Sequence, residues 1–164
     1  MKSVFLGDKN SIERVYTKEI TGKLTEIAGL SPDVLTKESL LSGAAGADGT
    51  EYIFSTWGML KLSEEEIRSR LPKLKAVFYA AGSVQEFARP FLNCGVKVFS
   101  AWAANAVPVA EYTVAQIILA NKGFYLTSRL ASAGRFDESR ENIGNFPGNF
   151  GARIGIIGAG MIGK

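Results

Sequence analysis

Three glycines near the end of the chain have the spacing of a phosphate-binding loop. Residues 153–157, which are apolar after Arg153, lead directly into Gly158, Gly160 and Gly163, a G-x-G-x-x-G pattern. In this pattern the first glycine makes a tight turn, the second lets backbone approach a pyrophosphate, and the third lets a helix pack closely on the preceding strand. Phosphates then bind the unpaired N–H groups that begin the helix. The spacing therefore predicts a dinucleotide-binding loop, and the alternative is an ordinary turn after a strand.

Two other loops follow predicted strands, at residues 55–58 and 81–83. Ligands of open parallel sheets bind beyond the carboxyl ends of the strands. Gly82 lets a ligand approach the backbone, and the N–H groups beside it can accept an anion such as a carboxylate. The alternative is that Ser83 only caps its own helix. Trp57 is a candidate substrate contact, although large aromatic side chains more often serve packing.

The amino-acid inventory excludes several kinds of chemistry. The chain has no histidine, so it cannot supply an imidazole acid, base or metal ligand. No group of residues has metal-ligand spacing, and we assign neither a catalytic residue nor a metal site. The single Cys94 excludes an intramolecular disulfide and suits a reducing compartment, where its simplest role is that of a small buried side chain near a helix end.

Composition predicts a soluble, cytoplasmic globular protein. Of the 164 residues, 46% are hydrophobic and 21% charged, and the net charge of +3 comes from scattered Lys and Arg rather than from a basic stripe that would bind nucleic acid. The apolar segment after Lys2 is too short for a signal peptide. Residues 107–120 are apolar but contain Glu111 and Gln116, and we expect them to be too short to span a bilayer.

The elements that must position these loops alternate between strands and helices. Short apolar runs predict strands at residues 4–6, 24–28, 52–55, 75–79 and 96–99. Helices are predicted at residues 11–20 and 37–45, the latter breaking around Gly46, and after two S-x-x-E capping boxes that begin at Ser63 and Ser83. Gly95 is expected just beyond the last of them. This alternation predicts an α/β fold with a doubly wound parallel sheet.

The second part of the chain is predicted to begin near residues 102–105. Asn105 is expected to cap a long helix with Pro108 in its first turn, running towards Leu126. The helix is apolar around most of its circumference, which indicates burial between two surfaces. Residues 131–151 are expected to form an extended loop that leads to a final strand at residues 153–157.

The order of these pieces resembles the D-isomer-specific 2-hydroxyacid dehydrogenase family over nearly the whole chain. The resemblance is carried by residues 74–77, Ala81-Gly82-Ser83, residues 95–98, Val109-Ala110-Glu111 and the glycine loop. It implies a flavodoxin-like substrate domain at residues 1–103 and, at residues 104–164, the start of a Rossmann domain that binds NAD or NADP, truncated just after the loop. The full-length protein would then transfer hydride between NAD(P)(H) and a 2-hydroxy or 2-keto acid.

The resemblance also implies residue roles. Gly82 and Ser83 would give N–H groups to the substrate carboxylate, and the cofactor pyrophosphate would be surrounded by Gly158, Gly160, Met161, Ile162 and Gly163. The helix from Asn105 would contribute to a homodimer through residues 105–164. Three departures mark a divergent branch, since the family often has Thr or Ser at Gly82, Asp at Gln85 and His at Tyr112. Its catalytic Arg, Glu and His follow the glycine loop, so none maps onto this chain and the fragment itself is expected to be inactive.

Two other functions stay open at this point. One is a non-catalytic, NAD-sensing regulatory protein, similar to the transcriptional corepressors that share this fold. The other is a flavodoxin-like binding module with residues 105–164 as an appended segment, which the large apolar content of that segment disfavours. For the dehydrogenase, we expect the helix from Asn105 and residues 153–157 to associate with another chain or to stay disordered, because their apolar surface lacks its sheet.

Overall fold

The computed structural model describes residues 1–43 and 47–164, which form two compact units, Met1–Ala104 and Asn105–Lys164. The first unit contains a sheet of five parallel strands: β1 (Ser3–Leu6), β2 (Leu30–Leu35), β3 (Tyr52–Ser55), β4 (Ala76–Tyr79) and β5 (Lys97–Ser100). Their order in the sheet is β2-β1-β3-β4-β5. This is the flavodoxin-like order, and the predicted α/β fold with a doubly wound sheet is confirmed.

Among the described residues, five α-helices lie between these strands: α1 (Lys9–Val15), α2 (Lys18–Ala28), α3 (Lys37–Leu41), α4 (Glu64–Arg70) and α5 (Ala88–Asn93). A short 3₁₀ helix, Ala47–Gly49, precedes β3. One sheet face packs against buried residues of α3, α4 and α5, namely Leu40, Ile67 and Phe91. The other face packs against α1 and α2, through Ile12 and Ala28.

The strand register sorts the side chains into an aliphatic row and an aromatic row. Val4 is paired with Ile53, Ile53 with Val77, and Val77 with Val98, which places the aliphatic row against the larger core. One residue further along, Phe5, Phe54, Phe78 and Phe99 follow one another across the sheet. The rings of Phe54, Phe78 and Phe99 are stacked at centroid distances of 5.3 and 5.2 Å. Alternation of side chains along each strand therefore gives the two faces different cores.

The predictions for the first crossover were partly wrong. The helix predicted at residues 11–20 is interrupted, because the Thr17 hydroxyl accepts a hydrogen bond from the Ile20 N–H and begins a new helix. Residues 24–28, predicted as a strand, belong to α2, which ends at the left-handed Gly29 (φ 59°). The second strand follows that glycine. It was missed because Pro32 and Asp33 weaken its apolar pattern, and an edge strand tolerates both.

The helix-start signals had mixed outcomes. The helix predicted at residues 37–45 ends at Leu41, and its predicted end at residues 44–45 and break at Gly46 lie outside the described residues. The capping box of Ser63 and Glu66 is confirmed at the start of α4. The box predicted at Ser83 is wrong, because α5 begins only at Ala88. A helix starting at Ser83 would place Pro90 in its interior, where the ring removes a backbone hydrogen bond.

The second unit is more helical than predicted. A long helix, α6 (Trp102–Asn121), is followed by α7 (Phe124–Ser132) and α8 (Phe136–Ile143). α6 begins before Asn105 because Ala103 and Ala104 extend it, which leaves Pro108 in its interior rather than in its first turn. It ends before the predicted Leu126, since Gly123 has φ 72°.

Two further expectations for this unit are wrong. Residues 131–151 are not an extended loop, because they contain α8, whose Ser139 hydroxyl donates to the Thr127 carbonyl oxygen of α7 at 2.9 Å. Residues 153–157 form no strand, since a parallel strand needs a neighbour to pair with and none is paired with them in the described chain. Ile157 is fully exposed.

The 20-residue helix α6 is longer than the apolar stretch 107–120 that was considered as a membrane span. Its mean hydropathy is 1.2, and by length and composition alone it could cross a bilayer. Residues 107–120 therefore belong to a longer apolar helix than predicted, and the absence of a membrane partner stays a prediction. A helix buried between protein surfaces has the same composition, but in the described chain only Ala106 of α6 is buried, so the expected burial between two surfaces is not observed.

Candidate functional site

The loops that follow β1 and β3 are in direct backbone contact at the carboxyl edge of the sheet. Gly58 has φ 84°, and a Cβ atom built on it would lie 2.6 Å from the Cβ of Asp8. Asp8 in turn caps α1 by accepting a hydrogen bond from the Ser11 N–H at 2.8 Å. The side-chain and backbone hydrogen bonds of Ser11 lower the pKa of this carboxyl group. The close approach fixes the position of the loop that contains Trp57.

Two buried hydroxyl groups tie the end of β3 to its neighbours β1 and β4. The Ser55 hydroxyl donates to the Leu6 carbonyl oxygen at 2.6 Å, and the Thr56 hydroxyl donates to the Ala80 carbonyl oxygen at 3.2 Å. Both residues are fully buried. The sequence predicts this loop as a candidate site without a role for either hydroxyl, although small hydroxyl residues directly after a buried strand were a usable signal. They position the site and do not line it.

Tyr16, directly after α1, supports the same edge, because its hydroxyl donates to the Ser55 carbonyl oxygen at 2.9 Å. Burial raises the pKa of Tyr16 to about 12 from its ordinary value of 10. The unfolded chain therefore loses this proton first, so the stability that Tyr16 contributes is intact below about pH 10 and is lost as the pH rises to about 12.

We expect the absorbance difference between the wild type and Tyr16→Phe to show a tyrosinate transition centred near pH 12. In urea denaturation, the wild type should lose stability more steeply than Tyr16→Phe between pH 10 and 12. A transition near the ordinary pKa of 10 would contradict burial of this hydroxyl.

The loop after β4 presents a row of unpaired backbone donors. Within residues 1–43 and 47–164, the N–H groups of Gly82, Ser83 and Val84 donate to no acceptor. The Ser83 hydroxyl only accepts a long hydrogen bond of 3.5 Å from the Gln85 N–H. Adjacent unpaired N–H groups are a natural site for an anion. Ser83 therefore does not cap a helix, and the anion-binding role of Gly82 and Ser83 stays a prediction.

A cavity of about 290 Å³ lies beside this row. Its walls include Trp57, Met59, Lys61, Tyr79, Ser83, Glu86 and Phe87. The structure therefore brings the predicted Trp57 and Ser83 together, whereas Gly82 does not line the cavity. Trp57 is 45% exposed, so it does not serve core packing, and the Arg14 guanidinium carbon lies 5.7 Å from its ring centroid.

Five residues that line this cavity were not predicted from the sequence, and three of them, Lys61, Tyr79 and Glu86, have polar side chains. The Lys61 ammonium lies 2.8 Å from the Glu86 carboxylate, and this hydrogen bond lowers the pKa of Glu86. Burial, and then the charge of Glu86, raise the pKa of Tyr79. Lys61 and Glu86 lie in different loops, so no local sequence pattern indicates that they form a pair. Tyr79 could have been found, because it ends a predicted strand.

A larger cavity of about 920 Å³ lies among α1, α2 and β2. Both positively and negatively charged side chains line it, namely Lys9, Glu13, Lys18 and Asp33. It is not formed by the loops that follow β3 and β4, where ligands of a doubly wound sheet bind. We therefore take the smaller cavity as the candidate site.

The glycine loop has the backbone of a tight turn followed by the first turn of a helix. Gly158 has φ 96°, and a Cβ atom on Gly163 would overlap the Gly158 carbonyl oxygen. The Lys164 N–H donates to the Gly160 carbonyl oxygen at 3.1 Å, which is a helical hydrogen bond. Nothing lies within 4 Å of a Cβ atom built on Gly160, so a ligand has room to approach. Met161 and Ile162 are about half exposed, and the cofactor role of all five residues stays a prediction.

Three solved structures of dehydrogenases or reductases have a similar fold. NAD-dependent formate dehydrogenase from Staphylococcus aureus, in complex with NAD, has a TM-score of 0.58 and 21% identity, over 89% of this chain and 44% of that chain. D-2-hydroxyisocaproate dehydrogenase has a TM-score of 0.66 and 15% identity, over 99% of this chain and 48% of that chain. The pyruvate reductase of Chlamydomonas reinhardtii has a TM-score of 0.51 and 16% identity, over 83% of this chain and 39% of that chain.

These likenesses establish the fold, because the identities are low. The chain spans less than half the length of each of the three proteins. No protein-family model and no curated protein matches it. Within the described residues, no group of three or more Cys, Asp or Glu side chains could hold a metal ion.

Proposed function

We propose that this chain is the substrate-binding part, with the beginning of the cofactor-binding part, of an oxidoreductase that transfers hydride between NAD or NADP and a 2-hydroxy or 2-keto acid. The observation that carries the proposal is the row of unpaired N–H groups at Gly82, Ser83 and Val84 beside a cavity at the carboxyl edge of the sheet. The glycine loop supports it, and so does the fold shared with solved dehydrogenases.

The two proposed binding sites, one in each unit, have distinct tasks. The N–H row binds the substrate carboxylate by charge-assisted hydrogen bonds, and the cavity receives the rest of the acid. The cofactor pyrophosphate would be held by Gly158, Gly160, Met161, Ile162 and Gly163, and the nicotinamide would supply the hydride. Since the chain has no histidine, an imidazole acid or base for the carbonyl oxygen must come from outside these 164 residues. We therefore expect the chain alone to bind the acid without reducing it.

The N–H row is tested by replacing Ser83 in two ways. Ser83→Pro removes one donor, whereas Ser83→Ala keeps it and removes only the hydroxyl. Because one hydrogen bond to a charged group contributes about 1.5–3 kcal/mol, we expect Ser83→Pro to weaken pyruvate binding about tenfold or more. Ser83→Ala should bind as the wild type does.

The measurement is the amide NMR spectrum of the 164-residue chain titrated with pyruvate and, as an uncharged control, with pyruvamide. The Gly82, Ser83 and Val84 signals should move with pyruvate and not with pyruvamide. Signals that stay in place with pyruvate, or equal binding by both Ser83 variants, would refute a backbone carboxylate site.

A non-catalytic regulatory protein that senses the same cofactor would share these binding features. The full-length protein from its source separates the two functions, because the proposed dehydrogenase oxidises NADH or NADPH when a 2-keto acid is added. Cofactor binding without any turnover would favour the regulatory protein.

We further propose a cytoplasmic homodimer formed through residues 105–164, with no membrane or nucleic-acid partner. Support comes from the exposed apolar side chains of α6, among them Val107, Tyr112, Val114 and Ile118. Exposed apolar surface of this kind is typical of an interface between proteins. The scattered basic residues favour neither an anionic lipid surface nor a nucleic acid.

A further inference from the structure

We propose that the ion pair between Lys61 and Glu86 sets the substrate preference of the candidate site, so that it favours 2-keto acids with an uncharged, apolar side chain over dicarboxylic ones. This inference rests on the proposed function, because it assumes that a 2-keto acid enters the cavity. It starts from one contact, the 2.8 Å distance between the Lys61 ammonium and the Glu86 carboxylate.

The ion pair joins the two loops that form the walls of the cavity. Lys61 lies between β3 and α4, and Glu86 lies between β4 and α5. The backbone at Lys61 is held in place, since its carbonyl oxygen accepts a hydrogen bond from the Lys37 ammonium at 3.0 Å. Lys37 also pairs with Glu66 of α4 at 3.4 Å. The position of Lys61 therefore depends on the start of α4 as well as on Glu86.

No other charged side chain lines the described cavity. The pair has no net charge, and the remaining walls are mostly aromatic or apolar, with Trp57, Met59, Tyr79 and Phe87. An acid held by its carboxylate at the N–H row would place its side chain against these walls. Apolar side chains gain free energy from such burial.

A second carboxylate on the substrate would meet a lysine that already has a partner. To bind Lys61 it would have to displace Glu86, and until then the two negative charges repel each other. The side chains of Lys61 and Glu86 are 69% and 79% exposed, so water screens both effects. We therefore expect a preference of a few fold and not an absolute exclusion.

The test compares two 2-keto acids that differ in side-chain charge, 4-methyl-2-oxopentanoate and 2-oxoglutarate. Binding is measured by the fluorescence of Trp57, in a Trp102→Phe background so that the only other tryptophan does not contribute. Glu86→Gln leaves Lys61 without its partner, and we expect the ratio of the two dissociation constants to shift about three- to tenfold towards 2-oxoglutarate. The double variant Lys61→Met, Glu86→Gln should lose this gain.

Glu19→Gln is the matched control. It breaks an exposed ion pair of similar length, 2.6 Å between Lys23 and Glu19 on α2, whose residues do not line this cavity. It should leave both dissociation constants unchanged. A ratio that Glu86→Gln does not alter, while both acids still bind, would refute the role of the ion pair alone. Failure of both acids to bind every variant would refute the proposed carboxylate site itself.

Discussion

Replacement of Phe91 with alanine is expected to lower the free energy of unfolding by about 3–5 kcal/mol. Phe91 is fully buried in the larger core, and its ring meets that of Phe87 edge to face at a centroid distance of 6.2 Å. Removing the ring loses buried apolar surface and leaves a cavity that a sheet and three helices cannot easily close. Since the free energy of unfolding of a small domain is about 5–15 kcal/mol, this loss is a large part of the total stability.

The neighbouring Leu92→Ala is the control, because Leu92 lies on the same helix and is 51% exposed. Urea denaturation followed by circular dichroism should show a much lower midpoint for Phe91→Ala and a small change for Leu92→Ala. Similar midpoints for the two variants would mean that α5 does not pack on the sheet through Phe91.

The fold could be predicted from the sequence where apolar runs are flanked by clear turn residues. Residues 52–55 were predicted as a strand with the observed bounds, and Ser63 was placed correctly as the cap of α4. The strand at Leu30–Leu35 could not be found in this way, because its proline and aspartate are acceptable only at a sheet edge. That position depends on the whole fold and leaves no local signal.

The position of the candidate site could be predicted from the sequence, but the interactions of its residues could not. The rule that ligands bind at the carboxyl ends of parallel strands selected the loops of Trp57 and Ser83. The capping box at Ser83 was a misleading local signal, because Pro90 delays the helix and so leaves the N–H groups of the loop unpaired. The pairing of Lys61 with Glu86 follows from the contact between two loops, which only the folded chain shows.

Replacement of Gly58 with alanine is expected to destabilise the chain by about 2–5 kcal/mol, through two additive effects. The backbone at Gly58 has φ 84°, a conformation that costs an L-residue about 1–2 kcal/mol. The new methyl group would also lie 2.6 Å from the Cβ of Asp8, so one of the two loops must move. Forced shifts of this kind typically cost about 1–3 kcal/mol.

Gly22→Ala is the matched control for the same chemical change. Gly22 lies inside α2, and nothing lies within 4 Å of a Cβ atom built on it. Alanine should therefore stabilise the helix there by up to about 1 kcal/mol. Urea denaturation should move the two midpoints in opposite directions. Equal midpoints would show that the loops after β1 and β3 do not touch. A large loss for Gly58→Ala, together with weaker binding of pyruvate, would show that this contact holds the wall of the candidate site in place.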